Sequence, residues 1–454
     1  MSLSRRSMFK TGISAGFLSA AMAAPGPVRS YLLSAASAQT PTVPLPESGA
    51  VNTVVWTYRP DIVSDNLKIW AGLNNQPEPQ FADIPGVYDY ANVIAGKFLG
   101  GEKIDMMYCH SDQLNRWYKA GWIRDDIESL DWVQALKPNL QPWGVENMSS
   151  SDGKLLGLPY WAGTKYLYYN DIDFEKAGIT APPATWEEFE EQCKQLQGVG
   201  IASPYLPYWR KDFWALGWSI FVESYSEGDY IFDADNNLTI TGGDTPFRGM
   251  LERWKRMFEA GIVPQSSFEV ADPNIEYATG NYTFGMNDDY GHKAVNNPDF
   301  SKVGGHVHNF LNPGATHETT AISPMYVFGK DVETPVEVQN DLAHYFGSSY
   351  HDGEYHVALR WVLEEGLGTI DMNVMNREDV KAAFSQWRDI DIYAEQMSLA
   401  KPRNVQKQLW YPEWEMNMLN QVQDFVIGNI SDIGEVFKRL QETLDGLKAQ
   451  YPAM

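Results

Sequence analysis

The stretch GLPYWAGTKYLYYN, residues 157–170, holds five aromatic rings in fourteen positions. A half-buried strand alternates apolar and polar residues, yet Tyr168 and Tyr169 are adjacent and Gly163-Thr164-Lys165 interrupts the run. No single face accounts for these rings.

Upstream of this stretch, residues 51–57 (VNTVVWT) read as a buried strand ending in the loop Tyr58-Arg59-Pro60. Residues 103–108 (KIDMMY) read as a second short strand, followed by Cys109-His110-Ser111-Asp112 and a helical pattern through Leu114, Trp117 and Tyr118. In an open α/β sheet, ligands sit beyond the carboxyl ends of strands, which singles out the loops at 56–59 and 109–113. Downstream, Thr185 followed by Glu188 forms a capping box, and Trp186, Phe189, Cys193 and Leu196 share the face of the helix that follows. Thr245-Pro246 starts another helix, residues from Ser431 start the last, and residues 230–241 read as a hairpin.

At 454 residues the chain exceeds one ordinary core, and 44% apolar with 21% charged residues describes a globular protein of two domains or two lobes. The first 38 residues hold four bases, Arg5, Arg6, Lys10 and Arg29, and no acid. Arg5-Arg6 followed by a modestly apolar run resembles a twin-arginine export signal, with a cleavage site at Ala36-Ser37-Ala38 and a rival at Ala21-Met22-Ala23. Without that segment the chain carries 31 basic against 59 acidic side chains, a net charge of −28, which disfavours nucleic acid and anionic lipid. The two cysteines, Cys109 and Cys193, lie far from the N-terminus, so no lipid anchor is expected and the destination is the periplasm.

Catalytic signatures are scarce. The sole G-x-S-x-G, at residues 12–16, falls inside the export segment, and no H-E-x-x-H, C-x-x-C or phosphate-binding glycine loop occurs, so no metal, cofactor or enzymatic activity is expected. Asp233, Asp235 and Asn237 imitate a calcium loop but lack its glycine and its final glutamate. His306 and His308, and the group His351, Asp352, Glu354 and His356, lack a complete zinc set at a familiar spacing. What stands out is aromatic: 16 Trp, 24 Tyr and 20 Phe, in runs such as residues 204–210 and 409–414. Rings that stack beside groups that hydrogen-bond suit sugars, and rings beside acids suit quaternary amines.

The chain resembles the extracellular solute-binding proteins of ABC importers, in the group that includes maltose- and other carbohydrate-binding proteins. The resemblance rests on Asp152-Gly153-Lys154, Gly157, Pro159, Tyr169-Asn170-Asp171, residues 174–178 (FEKAG) and residues 182–189 (PPATWEEF), with a second block at residues 280–290 (GNYTFGMNDDY). It implies an α/β, two-lobed periplasmic-binding-protein fold of type II, whose discontinuous lobes join at hinge crossings and trap ligand between them. The implied boundaries are 39–160 and 307–370 for the first lobe, and 161–306 and 371–454 for the second, after a signal at 1–38. The opening stretch is then the first crossing, with Trp161 in it, and residues 307–313 the second.

Carried over by position, Cys109, Asp112 and Gln113 match a first-lobe loop where maltodextrin binders use a tryptophan, an acid and an arginine, so only the acid is kept. Gly163 falls where those proteins have a glutamate, Tyr208 near a ligand-facing ring, and Trp410 on a stacking tryptophan; Tyr290 replaces another. Trp56, Tyr290 and Trp410 are expected to stack, Asp112, Asp288 and Asp289 to accept hydroxyl protons, and Arg59 to clamp. The implied function is a monomeric receptor that delivers a carbohydrate or polyol to an ABC permease. The alternatives are a receptor for a betaine or polyamine, and a secreted glycoside hydrolase.

Overall fold

The computed structural model describes residues 45–451, so the export segment and its cleavage sites lie outside the described residues. The chain forms two compact units. The first holds residues 45–141, 148–161 and 323–380, and the second holds 142–147, 162–322 and 381–451.

In the first unit five strands run in the order Gln80–Ile84, Asn52–Trp56, Met106–Cys109, Met325–Phe328, Leu158–Pro159. The first three are parallel, and Met325–Phe328 is antiparallel to both its neighbours. Parallel strands covered on both faces read as unbroken apolar runs, and Val54, Val55, Met106 and Met107 are fully buried as that rule requires. Thr53 pairs with Met106, so Trp56 and Cys109, three residues further along each strand, end the sheet at the same edge.

The second unit carries a four-stranded sheet, in the order Tyr205–Leu206, Phe284–Asn287, Tyr166–Asn170, Val307–Asn309, and a three-stranded one. Three expected boundaries are corrected here. Val307–Asn309 pairs with residues 168–170 inside this sheet, so the chain cannot leave the second unit at 307; it returns at Ile322/Ser323. The third switch falls at Val380/Lys381 and not at 370/371, and residues 142–147 join the second unit, which no local pattern announces. The switch expected at 160/161 lies between Trp161 and Ala162.

That division explains the five rings of residues 157–170. Tyr160 belongs to the first unit, where it stacks on Tyr108 at 4.1 Å. Tyr168 and Tyr169 sit on opposite faces of a strand that is covered on both sides. Tyr168 stacks on His292 at 5.4 Å and meets Tyr277 edge-on, whereas Tyr169 stacks on Phe174 at 4.1 Å. Adjacency in the sequence becomes separation across the sheet.

The capping box is present in altered form: the Thr185 hydroxyl accepts from the Glu188 amide, while the Glu188 carboxylate accepts from the Ala184 amide. Trp186, Phe189, Cys193 and Leu196 are the buried face of Trp186–Gly198. Residues 230–241 form no strand pair, only the bridge Phe232 to Leu238 around a turn in which Asp233 accepts from the amides of Asp235 and Asn237. Asp233 therefore closes its own turn.

Gly285 pairs directly with Tyr168, whose ring lies across it; a Cβ there would come 2.8 Å from the ring Cζ. Gly285→Ala is therefore expected to cost about 1–3 kcal/mol, because the buried ring has nowhere to retreat. Urea denaturation reads this as a lowered midpoint at unchanged m.

Candidate functional site

The first unit gathers several of the residues singled out in the sequence at the carboxyl ends of its parallel strands. The Trp56 ring stacks on His110 at 4.7 Å and meets Tyr90 edge-on at 5.4 Å. His110 lies in the loop 109–113 that the sequence singles out, directly after the strand Met106–Cys109, although no role is expected of it there. Asp112 and Gln113 lie in the first turn of the helix Ser111–Lys119, and the buried Gln113 Oε1 has no hydrogen-bond partner among the described residues. Trp161, the last residue of this unit before the switch, is nearly buried at 6% exposure.

Two of the expected solute contacts in this unit, Arg59 and Cys109, are engaged within the unit itself. Arg59 takes a left-handed backbone conformation (φ 44°) just before the helix Pro60–Asn74, and its guanidinium is held by Asp61, at 2.9 and 2.7 Å, and by Glu365. Glu364 adds a third carboxylate at 3.9 Å, so the guanidinium is counter-charged within its own unit. Cys109 is the fully buried last residue of its strand; its thiol donates to the His110 carbonyl at 3.2 Å, and burial pushes its pKa well above the ordinary range. Cys193 is likewise free and buried.

In the second unit, register builds a site that the sequence reading had only in part. Tyr166 pairs with Asn287 antiparallel, so the next pair outward is Lys165 with Asp288. Leu206 pairs with Gly285 in parallel, which carries Tyr208 to the same edge. Trp214 and Trp218 arrive from a π-helical turn, Phe213–Gly217, and the helix after it. Asp212 starts that turn by accepting from the Ala215 amide at 2.7 Å.

The Lys165 ammonium lies 4.4 Å from the Trp218 ring, 4.6 Å from Tyr208 and 5.4 Å from Trp214. Asp288 Oδ2 is 3.9 Å from it, and both side chains are 0% exposed. Neither Lys165 Nζ nor Asp288 Oδ2 has a hydrogen-bond partner among the described residues, although Asp288 Oδ1 accepts from the Gly291 amide. Burial lowers the Lys165 pKa and the charges of Asp288 and Asp212 oppose that; burial raises the Asp288 pKa and Lys165 opposes it. Each group is what keeps the other charged. Lys165 was read only as part of an interruption; a lone lysine between Ala162 and Tyr166 in an otherwise apolar run was the missed signal.

Asp289 serves as the counter-charge of a buried cation. Its Oδ1 accepts from Arg388 Nη1 at 2.9 Å and its Oδ2 from the Tyr393 hydroxyl at 3.0 Å, with the ion pair fully buried. Gly163 lies in a two-residue strand paired with Ile322. Tyr290 is half-buried in the short helix Asp289–Val295. Trp410 is 3% exposed, with its ring 6.0 Å from Phe232. Among the described residues no group of three or more His, Cys, Asp and Glu is placed to hold a metal ion; His306 and His308 both bond the Asp171 carboxylate instead. No described helix is long and apolar enough to cross a membrane.

Comparison with known proteins fits this architecture. Residues 89–334 match the family described as bacterial extracellular solute-binding protein. A stretch of 98 residues is 32% identical to the sn-glycerol-3-phosphate-binding periplasmic protein UgpB of Pectobacterium atrosepticum, covering 21% of this chain and 20% of that one. The matched stretches span only 12% to 22% of the length of such curated relatives. Among solved structures, maltose-bound MalE3 of T. maritima superposes with a TM-score of 0.73 at 15% identity, covering 88% of this chain and 100% of that one. An ABC transporter solute-binding protein of Agrobacterium vitis S4 with bound D-mannitol gives 0.71 at 17% identity, covering 89% and 100%. At such identities the likeness establishes the fold, the two-lobed α/β fold of periplasmic binding proteins.

Removing Asp289 would leave the Arg388 guanidinium buried without its counter-charge. Asp289→Ala is expected to destabilise the solute-free chain by about 3–5 kcal/mol in urea denaturation.

Proposed function

The chain belongs to the bacterial extracellular solute-binding proteins, and from that premise we propose that it is the non-enzymatic receptor of an ABC importer for a neutral carbohydrate or polyol. It works as an exported, unanchored periplasmic monomer that hands its solute to the permease. The observation that carries the choice of a neutral solute is the tenancy of the second unit's aromatic clusters. A betaine or polyamine receptor needs an empty box of rings and acids. The two multi-ring cation clusters described in the second unit are filled from within, one by Lys165 and the other by Arg388, whose guanidinium lies 3.8 Å from the Trp387 ring and 3.9 Å from Tyr393.

The solutes named with structural relatives, maltose and D-mannitol, favour the same reading. On it, Trp56, Tyr290 and Trp410 stack on the C–H faces of the solute, and Asp112 and Gln113 bond its hydroxyls. Affinity near micromolar, about −8 kcal/mol, is ordinary for such contacts.

Thermal melting with maltose, D-mannitol, ribitol, glycerol 3-phosphate, glycine betaine and spermidine tests the reading. At least one neutral polyhydroxyl compound is expected to raise Tm, confirmed by calorimetric titration. A rise with an amine and with no sugar or polyol would overturn it. For export, Arg5→Lys with Arg6→Lys is expected to leave the chain in the cytoplasm, where the unaltered chain fractionates with the periplasm.

A further inference from the structure

Lys165 is buried in an unusual way. An ammonium group has three N–H donors, and a buried one normally finds acceptors for them. The Lys165 ammonium has no hydrogen-bond partner among the described residues and is 0% exposed. Around it stand three ring faces, with centroids at 4.4, 4.6 and 5.4 Å, and one carboxylate oxygen at 3.9 Å. That separation is too long for a shared proton and suits an intervening methyl group. The surroundings are those preferred by a cation that donates no hydrogen bonds, a quaternary ammonium ion.

Arg388 shows a partial contrast. It too is ringed by aromatic side chains, and its Nε and Nη2 likewise have no hydrogen-bond partner among the described residues, but its Nη1 donates to Asp289 at 2.9 Å, a bond the Lys165 ammonium lacks.

We infer that Tyr208, Trp214, Trp218 and Asp288 form a quaternary-ammonium box whose tenant is Lys165, and that Lys165 is the specificity-determining residue that bars small alkylammonium solutes from the second unit. The inference deepens the reading of a neutral-solute receptor and rests on it. The box needs no acceptor for its guest, because π faces and one carboxylate supply the attraction. The tether gives Lys165 its advantage: a covalently attached ammonium competes at a high effective concentration, against which a free cation at ordinary concentration loses. Cutting the side chain back to Ala leaves a hollow shaped by the departed butylammonium arm, still facing three rings and a carboxylate.

The experiment compares the unaltered full chain, Lys165→Ala and Lys165→Met by thermal melting and calorimetric titration. The probe is tetramethylammonium chloride, with sodium chloride at matched concentration as control. Lys165→Ala is expected to bind tetramethylammonium at least about tenfold more tightly than the unaltered chain and to gain Tm with dose. Lys165→Met, which refills the hollow with an uncharged arm, is expected to gain nothing. Asp288→Asn added to Lys165→Ala is expected to weaken the new binding several-fold.

A folded Lys165→Ala that gains no more from tetramethylammonium than from sodium overturns the inference, and so does an equal gain in Lys165→Met. If Lys165→Ala does not fold alone, it is refolded with tetramethylammonium. Recovery of the native tryptophan emission with that ion and not with sodium supports the box, and no recovery with either overturns it. A polyol arm on the unaltered chain keeps the two readings apart: silence there sinks the neutral-solute receptor, whereas silence of Lys165→Ala towards tetramethylammonium sinks only the box.

Discussion

The second unit's site hangs on one backbone register, that of Tyr166–Asn170 against Phe284–Asn287. Because side chains alternate along a strand, a slip by one residue would send Tyr168 to the face of Tyr169 and draw Lys165 away from Asp288. Several features make the slip costly. Tyr168 fits only where its partner is a glycine, Gly285. The Asn170 side chain caps the next helix through the Asp173 amide at 2.9 Å and also reaches the Tyr282 carbonyl, so the strand's end is tied on both sides. The chemistry at Lys165 is thus specified from residues it does not touch.

Within that frame the unit solves the burial of a cation twice, in different ways. Arg388 presents a fork of donors, and its pairing with Asp289, itself bonded by Tyr393, satisfies part of the fork while stacked rings cover its planes. Lys165 is a compact charge whose counter-charge stands just beyond hydrogen-bond reach, and the rings supply the rest. The first arrangement is a structural fastening that fails if either partner is removed. Both leave donors unsatisfied in the interior, Nε and Nη2 of Arg388 and Nζ of Lys165, but only the second leaves its counter-ion beyond hydrogen-bond reach with an oxygen unpaired as well.

What could be read from the sequence follows the range of the forces involved. The strands at 51–57 and 103–108 and the helix after Thr185 were legible because propensity, capping and period act over a few residues. The departure from the second unit was not legible at 307, because Val307–Asn309 is held by pairing with residues some 140 positions earlier. The opposed duties of Asp288 and Asp289 were equally hidden. Adjacent acids look alike in sequence, and only the arrival of Arg388, 99 positions away, makes one of them a fastening. The resemblance to solute-binding proteins identified the fold, but it could not show that Arg59 and Asp289 are each held by an ion pair within their own unit.

Charge supplies the last step. The chain has a formal net charge of −24, with 59 acids against 35 bases, and a field of that sign raises the local concentration of every small cation near its surface. Long-range electrostatics therefore favours cationic solutes over the neutral ones that the site's stacking rings would hold. On the proposed reading of a neutral-solute receptor, discrimination against cations must act at short range, inside the aromatic cluster itself, where a ring face draws an ammonium group more strongly than a hydroxyl. A lysine fixed in that cluster provides it: the rings that would select an amine are already satisfied by one that cannot leave. Burying a charge to refuse a competitor costs stability, and the 3.9 Å approach of Asp288 offsets part of that cost without the tight ion pair that would draw the ammonium away from the rings.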